Sequence, residues 1–239
     1  AGWTLMASGC YNNDSRTPPL LGAMEREMLG WCTIPNCPSG AVTLNKIQNS
    51  KDLPAYKINT PNPNEYYVLE YREKTGFDSS LPSAGMLVWH VDKSNSGLSF
   101  VSGSNTYSFT YNTLWSWNSV NNVSGHPCYD LVESNGSSVA SGDVSLNSAY
   151  IWPNGASAFN PYSWAGINCG SPITNISNYG TYATFNCGST CVTEANPVAT
   201  FYYDANYSGT AVGMPEGTFT TSGMGTYCLG DNVISSIKV

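Results

Sequence analysis

Apolar and polar positions alternate with a period of two through much of residues 40–187. The runs AVTLNKI (41–47), AYKIN (55–59), EYYVLEYR (65–72) and GMLVWHVD (85–92) are each bounded by Pro, Asn, Gly or Ser, which predicts β-strands. CYDLVE (128–133), PITNIS (172–177) and TYATFNC (181–187) read the same way. One segment has helical spacing instead. Leu21, Met24 and Met28 recur at three-to-four-residue intervals, Thr17 is placed to cap, Pro18 suits a first turn, and Gly30 stops the run. A helix is predicted over about 18–29.

Between the strands lie an aromatic, Asn-rich region (SNTYSFTYNTLWSWNSVNN, 104–122) and a loop-heavy stretch reaching about Gly170. The expected fold is therefore mainly β, with a central β-sandwich over residues 39–188 carrying long loops. The composition breaks at CGSTCVTEANP, so residues 189–196 read as a linker and 197–239 as a compact β unit of their own. Residues 1–38, with the helix, precede the sandwich.

Charge and cysteine content narrow the classes. Lys plus Arg number 9 against 16 Asp plus Glu, a net charge of -7, which argues against a phosphate-tracking face and hence against nucleic acid. No apolar run approaches the roughly 20 residues that span a bilayer, and no basic-then-apolar leader precedes Ala1, the pattern expected of a soluble, processed chain. The 8 cysteines include no CxxC and the chain has 2 histidines, so disulfides in an oxidising compartment are expected rather than a zinc knot. Pairing is open, and local closures such as Cys32–Cys37 or Cys187–Cys191 are among the options.

The stretch EYYVLEYREKTGFDSSLPSAGMLVWHVD (65–92) carries a strand ending in Glu-x-Arg, a Thr-Gly-Phe-Asp turn, a Leu-Pro and a Gly-Met-Leu-Val-x-His-x-Asp strand. It resembles the M6 family of secreted bacterial metallopeptidases, the immune inhibitor A group. EREMLGWC (25–32), WTLMASGCYNN (3–13), LVESNG (131–136) and SPITNISNYGTYATFN (171–186) extend the likeness over roughly residues 2–187. The resemblance implies that residues 1–38 close a zinc-peptidase domain, with Met6 in the turn beneath the metal. There it would shape the floor without ligating. Tyr11, just past that turn, would be placed to steady an oxyanion or else pack against the helix. Zinc chemistry of this kind needs an HExxH helix to hold the metal and relay a proton, and residues 1–239 contain none. Zinc is thus expected only in an intact parent enzyme. The partner would be an N-terminal catalytic portion of the same precursor, covering Trp3, Leu5, Leu21, Met24 and Met28, unless the helix folds down on the sandwich and covers itself. A protein substrate follows for the parent, and a secreted or cell-surface bacterial location.

The histidines offer two readings. His90 and Asp92 share a strand face and read as hydrogen-bonded structural residues; alternatively His90 and His126 meet around a metal with Asp92 and Glu133. At the C-terminal end, YYDANYSG (202–209) and DNVISS (231–236) resemble the βγ-crystallin Greek key and its calcium motif, with Tyr202, Tyr207 and Gly209 in the pattern positions. The likeness nominates Asp231, Asn232 and Ser235 as calcium ligands, hard oxygen donors of the kind calcium prefers. Such keys pair, so a second copy of the chain is the other candidate partner. This supports the alternative expectation of a calcium-assisted secreted binding or structural β protein, an adhesin or assembly module.

Overall fold

The computed structural model describes residues 2–48, 54–102, 104–134, 151–154, 156–188, 196–218 and 236–239. The chain is mainly β, with antiparallel sheets and a short N-terminal helix, as the alternation predicts. A four-stranded sheet has the order β2 (Ala55–Asn59), β3 (Glu65–Arg72), β4 (Gly85–Asp92), β7 (Tyr129–Leu131). A three-stranded sheet has the order β1 (Gly40–Asn45), β9 (Tyr182–Cys187), β8 (Ile173–Asn178). Strands β3 and β4 run antiparallel in unbroken register from Glu65↔Asp92 to Arg72↔Gly85.

Both faces of β3 and β4 are covered, so nearly every residue of the two strands is buried, charged ones included. Tyr67, Leu69, Tyr71, Met86 and Val88 point one way and join Val42 and Leu44 of β1, Ile173 and Ile176 of β8, and Ala183 and Phe185 of β9 in one cluster with Trp152 and Phe159. Val68, Leu87, Trp89 and Val91 point the other way, under Trp3, Met24, Ile34 and Leu81. Full burial of such side chains contributes roughly 1.5–3 kcal/mol each. For Trp3 and Met24 the second of the two expected ways of covering them is the one found: both are fully buried, because the N-terminal segment lies on the second face of the sheet.

The helix is also shorter than its spacing predicts. The segment Asn12–Ser15 (α1) is not a regular helical turn, since Asn13, Asp14 and Ser15 have φ of +51°, +54° and +65°; no helix follows through 18–22, and α2 covers only Ala23–Met28. Three carboxylates, one in the Gly76–Ser80 turn, one in the helix itself and one in β3, set this start. Asp78 Oδ1 accepts the Leu20 N–H (2.8 Å) in the segment before the helix. Glu25 Oε2 then accepts the Gly22 N–H (2.7 Å), and Glu70 Oε2 accepts the Ala23 N–H (2.6 Å), satisfying donors that a helix start leaves open. Thr17 does not cap; its hydroxyl bonds Ser80 Oγ at 2.7 Å. Gly30, at φ +71°, ends the helix as expected.

Beneath this segment lies a buried ion cluster. Arg72 donates two parallel hydrogen bonds to Asp78 (2.9 and 2.7 Å), a third to the Leu20 carbonyl (2.9 Å) and a longer one to Glu70 Oε1 (3.4 Å). Burial opposes the Arg72 charge, and the two carboxylates more than offset it, holding the guanidinium protonated.

Cys37 is disulfide-bonded to Cys187, 150 residues away. That corrects both local closures, Cys32–Cys37 and Cys187–Cys191. The β1–β9 register pairs Gly40 with Cys187 and so brings the turn before β1 beside the end of β9.

Two smaller units complete the described chain. Strands β5 (Gly97–Ser102) and β6 (Asn105–Thr110) form a ribbon that leads into α3 (Tyr111–Ser116), capped by Thr110 Oγ1 accepting the Thr113 N–H at 3.2 Å. Strands β10 (Ala199–Asp204), β11 (Ser208–Met214) and β12 (Ser236–Lys238) make a sheet of order β11-β10-β12. No helix among the described residues is long and apolar enough to cross a membrane.

Candidate functional site

Strand alternation divides the inner face of the four-stranded sheet into an apolar end and a polar end. Moving along β3 from Tyr71 and Leu69, the same face reaches Tyr67 and then Glu65; along β4 it runs from Met86 and Val88 to His90 and Asp92. Asp130 of β7 lies opposite His90 and completes the row. All of these residues are buried. Buried carboxylates and imidazoles need partners, and two excursions of the chain supply them.

The first is a hairpin over residues 159–173. It is closed by Phe159 and Ile173, which exchange two backbone hydrogen bonds of 2.8 Å, and by a bridge between Tyr162 and Asn168. Its tip turns at Gly166, φ +76°, a left-handed position where a side chain would be strained. The tip places Trp164 over the polar end of the sheet. The second excursion follows α3 and brings His126 to the same place, with the Cys128 carbonyl accepting the Asp92 N–H at 2.9 Å.

Five rings then stack in sequence: Tyr67 on His90 (centroids 4.2 Å), His90 on Trp164 (5.0 Å), Trp164 on His126 (4.2 Å) and His126 on Tyr111 (3.8 Å). Each imidazole also meets one carboxylate. His90 Nε2 lies 2.9 Å from Glu65 Oε1, which also accepts the Trp164 backbone N–H at 2.7 Å, while Asn62 Nδ2 donates to Oε2 at 2.9 Å. His126 Nε2 lies 2.7 Å from Asp92 Oδ2, and the Ser94 N–H donates to Oδ1 at 2.7 Å. Burial pushes the Asp92 carboxyl up, but the hydrogen bonds from His126 and Ser94 outweigh it and leave Asp92 below the usual carboxylate range. An ionised carboxylate only accepts, so His126 Nε2 carries the proton of that bond.

The neighbours are perturbed the other way. Burial, then the charge of Glu133, pushes Asp130 up to about 7. Burial, then Glu65, pushes the Cys169 thiol up to about 12, and burial with Asp92 does the same to Cys128. Thiols held protonated are poor nucleophiles, so neither serves as an attacking group at neutral pH. What the arrangement does chemically is to fix the 159–173 hairpin and the segment before β7 onto the sheet through proton-sharing pairs and ring faces.

Of the two histidine readings, the geometry favours the hydrogen-bonded one. His90 and His126 lie on opposite faces of the Trp164 indole, each with Nε2 committed to a carboxylate. Among the described residues no three His, Cys, Asp or Glu side chains gather to hold a metal. The shared site with Asp92 and Glu133 is thus not formed.

The other nominated residues lie elsewhere. Met6 and Tyr11 are 76% and 73% exposed, on the N-terminal segment that covers the opposite face of the sheet. Asp231, Asn232 and Ser235 lie outside the described residues. The hairpin preceding them is described: the Tyr202 and Tyr207 rings meet edge-on at 5.6 Å, and the Tyr207 N–H donates to Ser236 Oγ at 3.1 Å.

Sequence reasoning did not single out Glu65 or Trp164. Glu65 opposes Asp92 only through the β3–β4 register, and Trp164 reaches it from 99 residues away. Comparisons of the chain with family models, with curated proteins and with solved structures found no match.

Proposed function

We propose that the chain is the C-terminal portion of an extracellular M6-type zinc endopeptidase: a β-sandwich with a terminal βγ-crystallin-like key, holding a Met-turn as part of the floor of an active site whose zinc ligands come from a preceding segment. The observation that carries this reading is the state of that turn. The residues ahead of it are anchored, with Trp3 fully buried and Thr4 bonded to Glu25, while the Met6 side chain that follows them is left exposed. Tyr11, Met28, Leu29 and Trp31 of the same N-terminal region are exposed as well, an apolar surface for a catalytic portion to cover. The resemblance of residues 65–92 is compatible with the fold, since its two strands form the centre of the main sheet. The Cys37–Cys187 bond suits an oxidising, extracellular setting.

Residues 1–239 alone supply no HExxH and are expected to be inactive. The test is peptide hydrolysis by the protein as its gene encodes it, including any polypeptide ahead of Ala1. Turnover abolished by a zinc chelator and restored by zinc is expected; a gene with no zinc helix ahead of Ala1 and no such turnover overturns the reading.

A second reading, a calcium-assisted secreted binding or structural protein, is favoured by the strand order β11-β10-β12 and the bond from Tyr207 to Ser236. They place the end of the DNVISS stretch beside the hairpin turn. Calorimetric titration with calcium is the test: heat and a raised melting temperature support it, and neither sinks it.

A further inference from the structure

We propose that Thr4 and Glu25 are positioning residues that fix the height of the Met6 turn, and with it the floor beneath the reacting centre; the catalytic half of this rests on the peptidase reading above.

Thr4 is buried, and its hydroxyl is used twice. Oγ1 donates to Glu25 Oε1 and accepts the Met6 N–H at 3.1 Å, while the Thr4 carbonyl accepts the Ala7 N–H at 3.3 Å. Thr4 thereby holds the Met6 N–H through its side chain and the Ala7 N–H through its backbone carbonyl. The turn is also backed closely: a Cβ at Gly9 would lie 2.4 Å from the Thr4 carbonyl oxygen and 2.8 Å from Pro19 Cγ, so glycine alone fits there.

Glu25 carries the constraint inward. Its second oxygen accepts the Gly22 N–H at 2.7 Å, and the next residue, Ala23, donates to Glu70 of β3 at 2.6 Å. Glu70 in turn meets Arg72, which is clasped to Asp78. The Met6 turn is thus linked, one polar contact at a time, to the middle of the main sheet, although the Met6 side chain itself is exposed. A valine at position 4 keeps the shape of the side chain and removes both bonds of its hydroxyl, to Glu25 and to the Met6 N–H. The hydroxyl acts on the turn.

Two measurements test this. In the 239-residue chain, hydrogen exchange of individual amides is followed for Thr4→Val, Thr4→Ser and Glu25→Gln. Thr4→Val and Glu25→Gln are expected to lose protection at Met6 while amides of β3 and β4 keep theirs; Thr4→Ser, which keeps the hydroxyl, is expected to match the unmodified chain. In the protein as its gene encodes it, Thr4→Val is expected to lower kcat on the order of tenfold to a hundredfold with KM unchanged, as misplacement of a floor by a fraction of an ångström does, and Thr4→Ser to restore it. Met6 protection that survives both Thr4→Val and Glu25→Gln overturns the strut. A zinc-dependent enzyme whose kcat is untouched by Thr4→Val overturns the catalytic role alone. Absence of zinc-dependent turnover in the unmodified protein overturns the peptidase reading and that role together, and the exchange result then decides the strut by itself.

Discussion

His126 lies flat against Trp164, ring centres 4.2 Å apart and planes 26° from parallel, while its Nε2 is held 2.7 Å from Asp92. The indole is gripped on its other face by His90. Aromatic pairs contribute about 0.5–1.5 kcal/mol beyond their burial, so a ring with two such faces is the main fastening of the 159–173 hairpin. Trp164→Ala is expected to lower unfolding stability by about 2–4 kcal/mol, and Trp164→Phe by less than half of that. Equal urea midpoints for Trp164→Ala and the unmodified chain would remove the fastening role.

Asp130 predicts a dependence on pH. Its carboxyl sits at about 7 in the folded protein, raised by burial and by Glu133. A group raised on folding contributes fully below its unfolded value, near 4, and that contribution is lost as pH rises through about 7. The loss is at most on the order of 4 kcal/mol, at about 1.36 kcal/mol per pKa unit. Asp130→Asn is expected to be more stable than the unmodified chain at pH 8 and to lose that advantage at pH 4, as read from urea unfolding at the two values.

Asp92 behaves in the opposite sense. Its carboxyl is lowered on folding, so its contribution is present above the unfolded value and disappears as pH falls below about 4. Asp92→Asn should cost about 1–3 kcal/mol at pH 7, with the deficit shrinking toward pH 3. A deficit that does not change with pH would show that the His126–Asp92 pair is not what holds Asp92 ionised.

Arg72 is buried with two carboxylates, and removing one member of such a cluster leaves uncompensated charge. Arg72→Ala is expected to destabilise by about 3–5 kcal/mol. Arg72→Lys should recover little, since an ammonium cannot reproduce the paired bonds to Asp78 and the bond to the Leu20 carbonyl. Thermal unfolding of the two variants decides it.

Removing the Cys37–Cys187 bond by Cys37→Ser with Cys187→Ser should lower stability by about 2–5 kcal/mol, because the loop it closes in the unfolded chain is long. An unchanged melting temperature would contradict this.

Strands β2, β3 and β4 were legible to the residue, because each is a bounded run of β-forming side chains that the fold buries. Strand β6 was not: Tyr107 and Phe109 alternate with Thr106, Ser108 and Thr110, but four of its six residues are exposed in succession, so the alternation does not mark a core-facing side. Helix α2 was legible as helix but not in its start, since the donors that define that start are taken by Glu25 and by Glu70 from 47 residues away. At the candidate site, the pairing of His90 and Asp92 on one face follows from their spacing. The insertion of Trp164 between the imidazoles does not, because it depends on how a distant hairpin closes. Threonine 17 misled for a related reason: its hydroxyl found Ser80 across the fold rather than a local amide.

Cys187 is the last residue of β9, and the chain that continues from it leads to the C-terminal strands. A pull on those strands would first reach a residue already bonded to Cys37, whose own N–H is held by the Lys57 carbonyl of β2 at 2.8 Å. Tension would therefore be shared between β9 and β2, at the edge of the other sheet, instead of peeling β9 away one rung at a time. The two sheets would then resist such a pull together.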